Sequence, residues 1–483
     1  MPDEEPTDVV RRDRFSGGPA RGFLSSLADD ERLFAADLAV DRAHVVMLAE
    51  QAIIDDADAG AILDALATVE TDGFDALPDG EDVHAAIETA VVDLAGDAGR
   101  RMHTARSRND EVATCLRYRL RADLLEAVEA SLGLREALIE VAVDHVETVM
   151  PGYTHLQPAQ PTTVAHWLLS YESAITRDTD RLLDAYWRAN RSPLGAAAFA
   201  GTPFPIDRAR TAELLGFDGV LENAMDAVAA RDFLVESAAA LAGLAATLSG
   251  IAADGIHFSN RGYLALDDDY ASTSSIMPQK VNPDTLELVR ATTGDAVAGL
   301  NGLLTTVKGL PRAYNRDLQR ATPHAWAAVD AVVEATDVTA GAMATAAWNE
   351  GALETAATEG FSAATGVADR LAMAGVPFRT AHEIVATAAE AGGDMAAIEA
   401  AVEAILDEPL DAVADAAAIE GILDPGANVA MRDSHGGPAP DAVEPAIGRA
   451  RDELADHRDR LAARQADLAD ARDRLDREVA SYR

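Results

Sequence analysis

The sequence is short of cysteine, of lysine and of any alternating run that would demand a sheet, and each shortage narrows what the chain can be. Cys115 is the one cysteine in 483 residues, so there is no intramolecular disulfide framework and no cysteine-based metal site, and a cytoplasmic chain is the simplest reading. Neither a glycine-rich phosphate loop nor a spaced set of histidines and carboxylates is present, so no metal and no organic cofactor is called for. Met1 to Arg14 alternates acidic and basic residues without an apolar stretch, which reads as the absence of a signal peptide. Basic residues are half as frequent as acidic ones, 40 against 82, for a formal charge of −42. That field repels nucleic acid and anionic membranes. The acidic excess is spread along the chain, and its self-repulsion is tolerable where salt shortens the screening length to roughly 3 Å at 1 M. A salt-loving host is inferred.

What is present is helix-forming. Ala, Leu, Glu, Asp and Arg dominate, and apolar residues recur at three- and four-residue spacing through segments such as Val112 to Thr148. Ser237 to Ala253 carries no charge, but it is short for a membrane span and diluted by Ala, Gly and Ser, so it reads as a helix buried among others. Pro and Gly clusters at Met150-Pro151-Gly152, Ser192-Pro193-Leu194-Gly195, Gly201-Thr202-Pro203 and Gly436-Gly437-Pro438 break the helices. The fold class is therefore all-α, with three helical regions: 1–104, a central bundle of long helices at 105–352, and 353–483. Ile447, Leu454, Leu461, Leu468 and Leu475 recur every seven residues in a charged background. This narrow seam reads as a helix packed on its own subunit in preference to a zipper with a partner.

Four polar segments between helices hold more functional groups than a connector needs: His103 to Asp110, Gly152 to Gln160, Ser274 to Asn282, and Tyr314 to Gln319. The third is the most informative. Lys280 and Lys308 are the only lysines among 40 basic residues, and Lys280 stands beside a serine pair and Asn282. A compact ammonium among hydroxyl and amide groups suits close contact with an oxyanion, which the broad guanidinium of arginine does not.

Ser274-Ser275-Ile276-Met277-Pro278-Gln279-Lys280-Val281-Asn282 resembles the signature of the fumarase/aspartase superfamily. The other segments, with Gly201 to Arg208, Gly375 to Glu383 and Phe23 to Leu27, resemble its argininosuccinate lyase branch over nearly the whole chain. The resemblance implies a fumarase/aspartase-like fold and cleavage of argininosuccinate into arginine and fumarate. That reaction removes a carbon-bound proton next to a carboxylate, and donors at the carboxylate oxygens lower the cost of the resulting dianion. It implies Lys280 and Asn282 in that role, and Ser274 and His155 as an acid/base pair in which either could be the base. Ser26, Ser107, Arg108, Asn109, Thr154, Tyr314 and Gln319 are implied to bind substrate. Glu287 either orients His155 or is a plain helix-face carboxylate, and Asp82 and His84 belong to the same surroundings with less weight. Thr273 stands where the family has Gly, and Thr322 where many members carry Lys, a contact that Arg316 or Arg320 could replace. The resemblance further implies a homotetramer whose active sites are shared between subunits. Two other readings stay open: a superfamily lyase acting on a different substituted succinate, and an inactive structural relative such as the lens crystallins of birds. The charge balance sets a first expectation: stability falls by about half in low-salt buffer, read as a melting temperature that drops as salt is removed, and a melting temperature indifferent to salt would contradict it.

Overall fold

The computed structural model describes residues 20–483, and the segment Met1 to Arg14 read above lies outside them. Helices α1 (Phe34–Glu50), α2 (Asp56–Asp72) and α3 (Val83–Ala95) form the N-terminal part. They are followed by α4 (Arg108–Asp144), α5 (Val164–Ala189), α6 (Asp232–Arg261), α7 (Asp284–Val307) and α8 (Thr322–Thr345). Cross-contacts fix the alternating directions of these long helices. Between α4 and α5, Arg117 reaches the Arg188 carbonyl while Arg135 meets Glu172. Between α5 and α6, Arg188 meets Glu236 and Trp167 meets Asp254. Between α6 and α7, Thr293 donates to the Ala245 carbonyl. The starts are capped as their sequences dictate: the Asp55, Asp82, Ser107 and Thr163 side chains accept backbone N–H bonds that the first helical turn cannot satisfy.

As a whole, α6 is long and apolar enough to cross a membrane, yet it packs against α5, α7 and α8. Leu241, Leu244, Leu248 and Ile251 are all buried there, and its small residues let neighbours close in. A Cβ at Gly255 would lie 2.7 Å from Leu286. Gly262, in the left-handed conformation at φ 75°, ends the helix.

Beyond α8, α9 (Ala364–Met373), α10 (Phe378–Glu390) and α11 (Met395–Leu406) enclose a separate small core running from Val367 to Ile422. The last helix, α12 (Pro440–Ser481), returns to the main core. Ile447, Leu454, Leu461 and Leu475 of the seven-residue seam are buried on their own chain, and Arg451 and Arg458 pair with Glu140 and Glu136 of α4. Between them, the fully buried Arg135 donates to Glu172 at 2.8 Å and to His457 Nδ1 at 2.7 Å. Arginine can only donate, so the His457 proton sits on Nε2, facing Asp180 at 3.0 Å.

The sequence offered no alternation that demands a sheet, but short antiparallel pairs occur. β1 (Val149–Thr154) pairs with β2 (Gln157–Thr163), and β3 (Ser272–Thr273) with β4 (Val281–Asn282). Pro151, Pro158 and Pro161 hide the first pair from pattern reading, since proline is at home in a ribbon whose outer edge needs no ladder bond.

Candidate functional site

Helix length divides the expected site residues between two ends of the bundle. At the start of α4 and α6, three segments are tied together. Ser26 donates from its backbone to the Glu81 carbonyl at 2.8 Å and from its hydroxyl to Asp30 at 2.8 Å. Gln319 and Arg316 both donate to the Leu24 carbonyl at 3.2 Å, and Arg316 also pairs with Glu81. Arg320 is exposed, and Thr322 opens α8. Tyr314 lies in the field of Arg316, Arg231 and Asp82, with burial pushing its phenol above the ordinary value. At the tip of α4, the Ser107 hydroxyl caps the helix, Asn109 donates to the Ala198 carbonyl at 3.1 Å, and Arg108 faces Asp82 at 2.7 Å and Glu88 at 3.5 Å. Arg108 thus meets carboxylates of its own chain, a cage that spacing along the sequence does not announce.

Beneath this end lies a buried ionic network. Arg106 meets Asp41 at 2.5 Å and Glu111 at 3.1 Å, and His84 meets Asp37 at 2.8 Å, where Cys115 also donates. Burial alone would drive the proton off His84, but the carboxylates of Asp37, Asp82 and Glu111 outweigh it and hold its pKa at about 10. Burial pushes Asp41 and Glu111 upward against the pull of Arg106. His84 is therefore a buried cation below the tip of α4, where Asp82 pairs with Arg108.

At the far end stand His155 and the serine loop. Thr154 pairs with Gln157, leaving His155 and Leu156 as a two-residue turn with φ of 56° and 57°. That geometry ordinarily takes Asn-Gly; residues with a Cβ cost about 1–2 kcal/mol each in this region. The turn projects Thr154, His155 and Leu156 to the surface. Its base is anchored by Tyr153, whose hydroxyl lies 3.2 Å from that of Tyr263 and whose ring meets His257 edge-on at 5.0 Å. In the loop between α6 and α7, Ser274 Oγ accepts the backbone N–H groups of Met277 at 3.1 Å and Ile276 at 3.4 Å. Lys280 Nζ donates to Asn282 Oδ1 at 2.5 Å, and the Lys280 carbonyl holds the Ser274 amide at 3.1 Å. Thr273 is extended in β3 opposite Val281, so its backbone needs no glycine. Among the described residues, neither the His155 nor the Glu287 side chain has a hydrogen-bond or ion-pair partner, and both residues are exposed.

The two ends are joined by α6, whose first turn neighbours Arg231 and Tyr314 and whose last turn carries His257 and Phe258 beside Tyr153. Its 30 residues rise about 1.5 Å each, or about 45 Å. The chain gathers Ser26, Ser107, Arg108, Asn109, Tyr314 and Gln319 at one end, and keeps Thr154, His155, Ser274, Lys280, Asn282 and Glu287 at the other. Asp110 and Arg231 had no role in the sequence reading. The Ser107-x-x-Asp110 spacing, a capping box, was the available signal for the first.

The buried network sets a pH dependence. His84 has a folded pKa of about 10 against an ordinary 6.5, so its stabilisation is complete below about 6.5 and is lost as the pH climbs through about 10. Denaturant unfolding at high salt is expected to show stability falling across that window, and His84→Gln to flatten the fall. An equally steep fall in the variant would count against the pairing.

Comparison with known proteins covers the whole length. A Lyase family model matches residues 29–298 and an Argininosuccinate lyase C-terminal model matches 361–430. The chain is 69% identical over 479 residues to the argininosuccinate lyase of Natronomonas pharaonis, covering 99% of this chain and 98% of that one. It is 65% identical over 486 residues to that of Haloarcula marismortui, covering 99% and 97%. Both relatives come from halophilic archaea, in keeping with the charge of −42. Among solved structures, EDDS lyase in complex with formate superposes with a TM-score of 0.86 at 34% identity over 96% of both chains. A class II fumarase from Schistosoma mansoni, at 14% identity and TM-score 0.67 over 80% of this chain and 91% of that one, shares the fold. With near full-length matches at this level of identity, the chain belongs to the argininosuccinate lyase family.

Proposed function

We propose that the chain splits argininosuccinate into L-arginine and fumarate by acid/base β-elimination, the last step of arginine synthesis, in the cytoplasm. The observation that carries the mechanism is the pair of backbone amides on Ser274 Oγ. Two N–H donors with Lys280 in the same loop favour an alkoxide, which makes Ser274 the base and leaves His155 as the acid. Ser274 takes the proton next to the carboxylate, and the electron pair moves onto the carboxylate oxygens as an aci-carboxylate held by Lys280 and Asn282. Collapse of that dianion breaks the carbon–nitrogen bond, and His155 protonates the departing guanidinium nitrogen. Ser26, Ser107, Asn109, Thr154, Tyr314 and Gln319 place the substrate. Arg108 serves by holding its own carboxylates, and the exposed Arg320 is the cation available where Thr322 replaces lysine. Every step is proton transfer or charge stabilisation, so neither a metal nor an organic cofactor has a part.

A substrate of this size cannot touch groups about 45 Å apart, so each site is completed by other copies of the chain. The exposed apolar side chains support this. Leu156 is 67% exposed, Ile276 83% and Leu288 68%, an unusual investment of surface unless a partner covers it. A homotetramer with shared sites fits, and in it Glu287 of one copy could reach His155 of another.

Fumarate release, followed in the ultraviolet, is expected with argininosuccinate and not with malate, aspartate or adenylosuccinate. Release from another member of this panel instead would favour a lyase of different specificity. Ser274→Ala is expected to abolish turnover while substrate binding and the oligomer persist; full activity in that variant would refute the role given to Ser274.

A further inference from the structure

Asp110 is fully buried, yet every hydrogen bond to its carboxylate comes from a backbone amide. One carboxylate oxygen accepts the N–H of Ser107 at 2.9 Å; the other accepts those of Gly195 at 2.9 Å and Ala197 at 2.7 Å. The last two donors lie in left-handed backbone, with φ of 86° and 50°, so their N–H groups converge on one acceptor as in an anion nest. Gly195 has no room for a side chain, since a Cβ there would meet Arg208 at 2.6 Å. Ala197 does carry a Cβ, and its conformation is strained. The next residue, Ala198, supplies the carbonyl that accepts the Asn109 side-chain N–H at 3.1 Å. One buried carboxylate therefore fixes both the helix tip that carries Asn109 and the loop that decides which way the Asn109 amide faces.

We infer that Asp110 is a positioning residue for substrate binding: it locks the 195–198 loop so that Ala198 orients the Asn109 amide toward the substrate. This rests on the substrate-binding role proposed for Asn109. In Asp110→Asn one acceptor becomes an N–H donor facing backbone N–H groups, while shape and volume are kept, so at least one of the two attachments is lost.

The experiment is a double-mutant cycle with argininosuccinate at high salt, using Asp110→Asn, Asn109→Ala and both together. Asp110→Asn is expected to raise KM about tenfold with kcat changed less than about threefold, and to add nothing when Asn109 is already Ala. A residue that merely supports the fold would act equally in both backgrounds, so additive effects, or an unchanged KM in an assembled variant, would overturn the proposal. If Asp110→Asn does not assemble, Ala197→Gly takes its place in the cycle. It frees the loop while keeping the buried carboxylate paired, and is expected to raise KM about threefold in the Asn109 background alone; an additive or absent effect counts against the proposal in the same way. Turnover by the unmodified chain is measured first. Its absence overturns the activity reading and this proposal with it, whereas normal turnover with an additive cycle overturns this proposal alone.

Discussion

The rise of an α-helix is the constraint on which the rest of this molecule depends. A bundle of antiparallel helices with α6 as its tightly packed centre is a rigid spacer about 45 Å long, and the polar segments can stand only where helices end. Chemistry-bearing residues therefore collect at two ends and not in one cleft. Burial of Leu241, Leu244, Leu248 and Ile251 against the neighbouring helices makes the spacing stiff, so bending within one chain cannot bring the ends together. Association of copies can.

Each end is prepared differently. The end at the tip of α4 is held from beneath by full charges: Arg106 with Asp41 and Glu111, His84 with Asp37, and Arg108 within its own carboxylates. Buried pairs of this kind add little net stability, but losing one partner strands the other, so the arrangement is sharply defined. The end that carries His155 and Ser274 relies on backbone geometry. His155 rides a turn that a side chain enters only at a cost, and Ser274 is met by amides of its own loop. Backbone amides cannot titrate or swing away, which suits the alkoxide role proposed for Ser274.

Much of this was legible in the sequence. Apolar spacing of three and four residues made the chain helical, and the seven-residue seam from Ile447 to Leu475 marked a helix that does pack on its own chain. The loop around Lys280 stood out because lysine is so scarce elsewhere. The β1/β2 hairpin was not legible, because its prolines mimic a connector, and neither was the cage around Arg108, whose carboxylates come from the start and middle of another helix. Residue order also carries no direction: His155 and Asn109 look like neighbours in one polar inventory, and only the up-and-down course of α4, α5 and α6 sets them at opposite ends.

The central claim, that one active site draws on separated ends of different copies, is tested most directly by mixing two crippled variants. His155→Asn and Asn109→Ala each damage one end, and hybrids formed by co-expression or joint refolding at high salt contain some sites in which both ends are intact. Activity well above that of either parent is expected. Hybrid oligomers that form but stay as inactive as their parents would contradict the account.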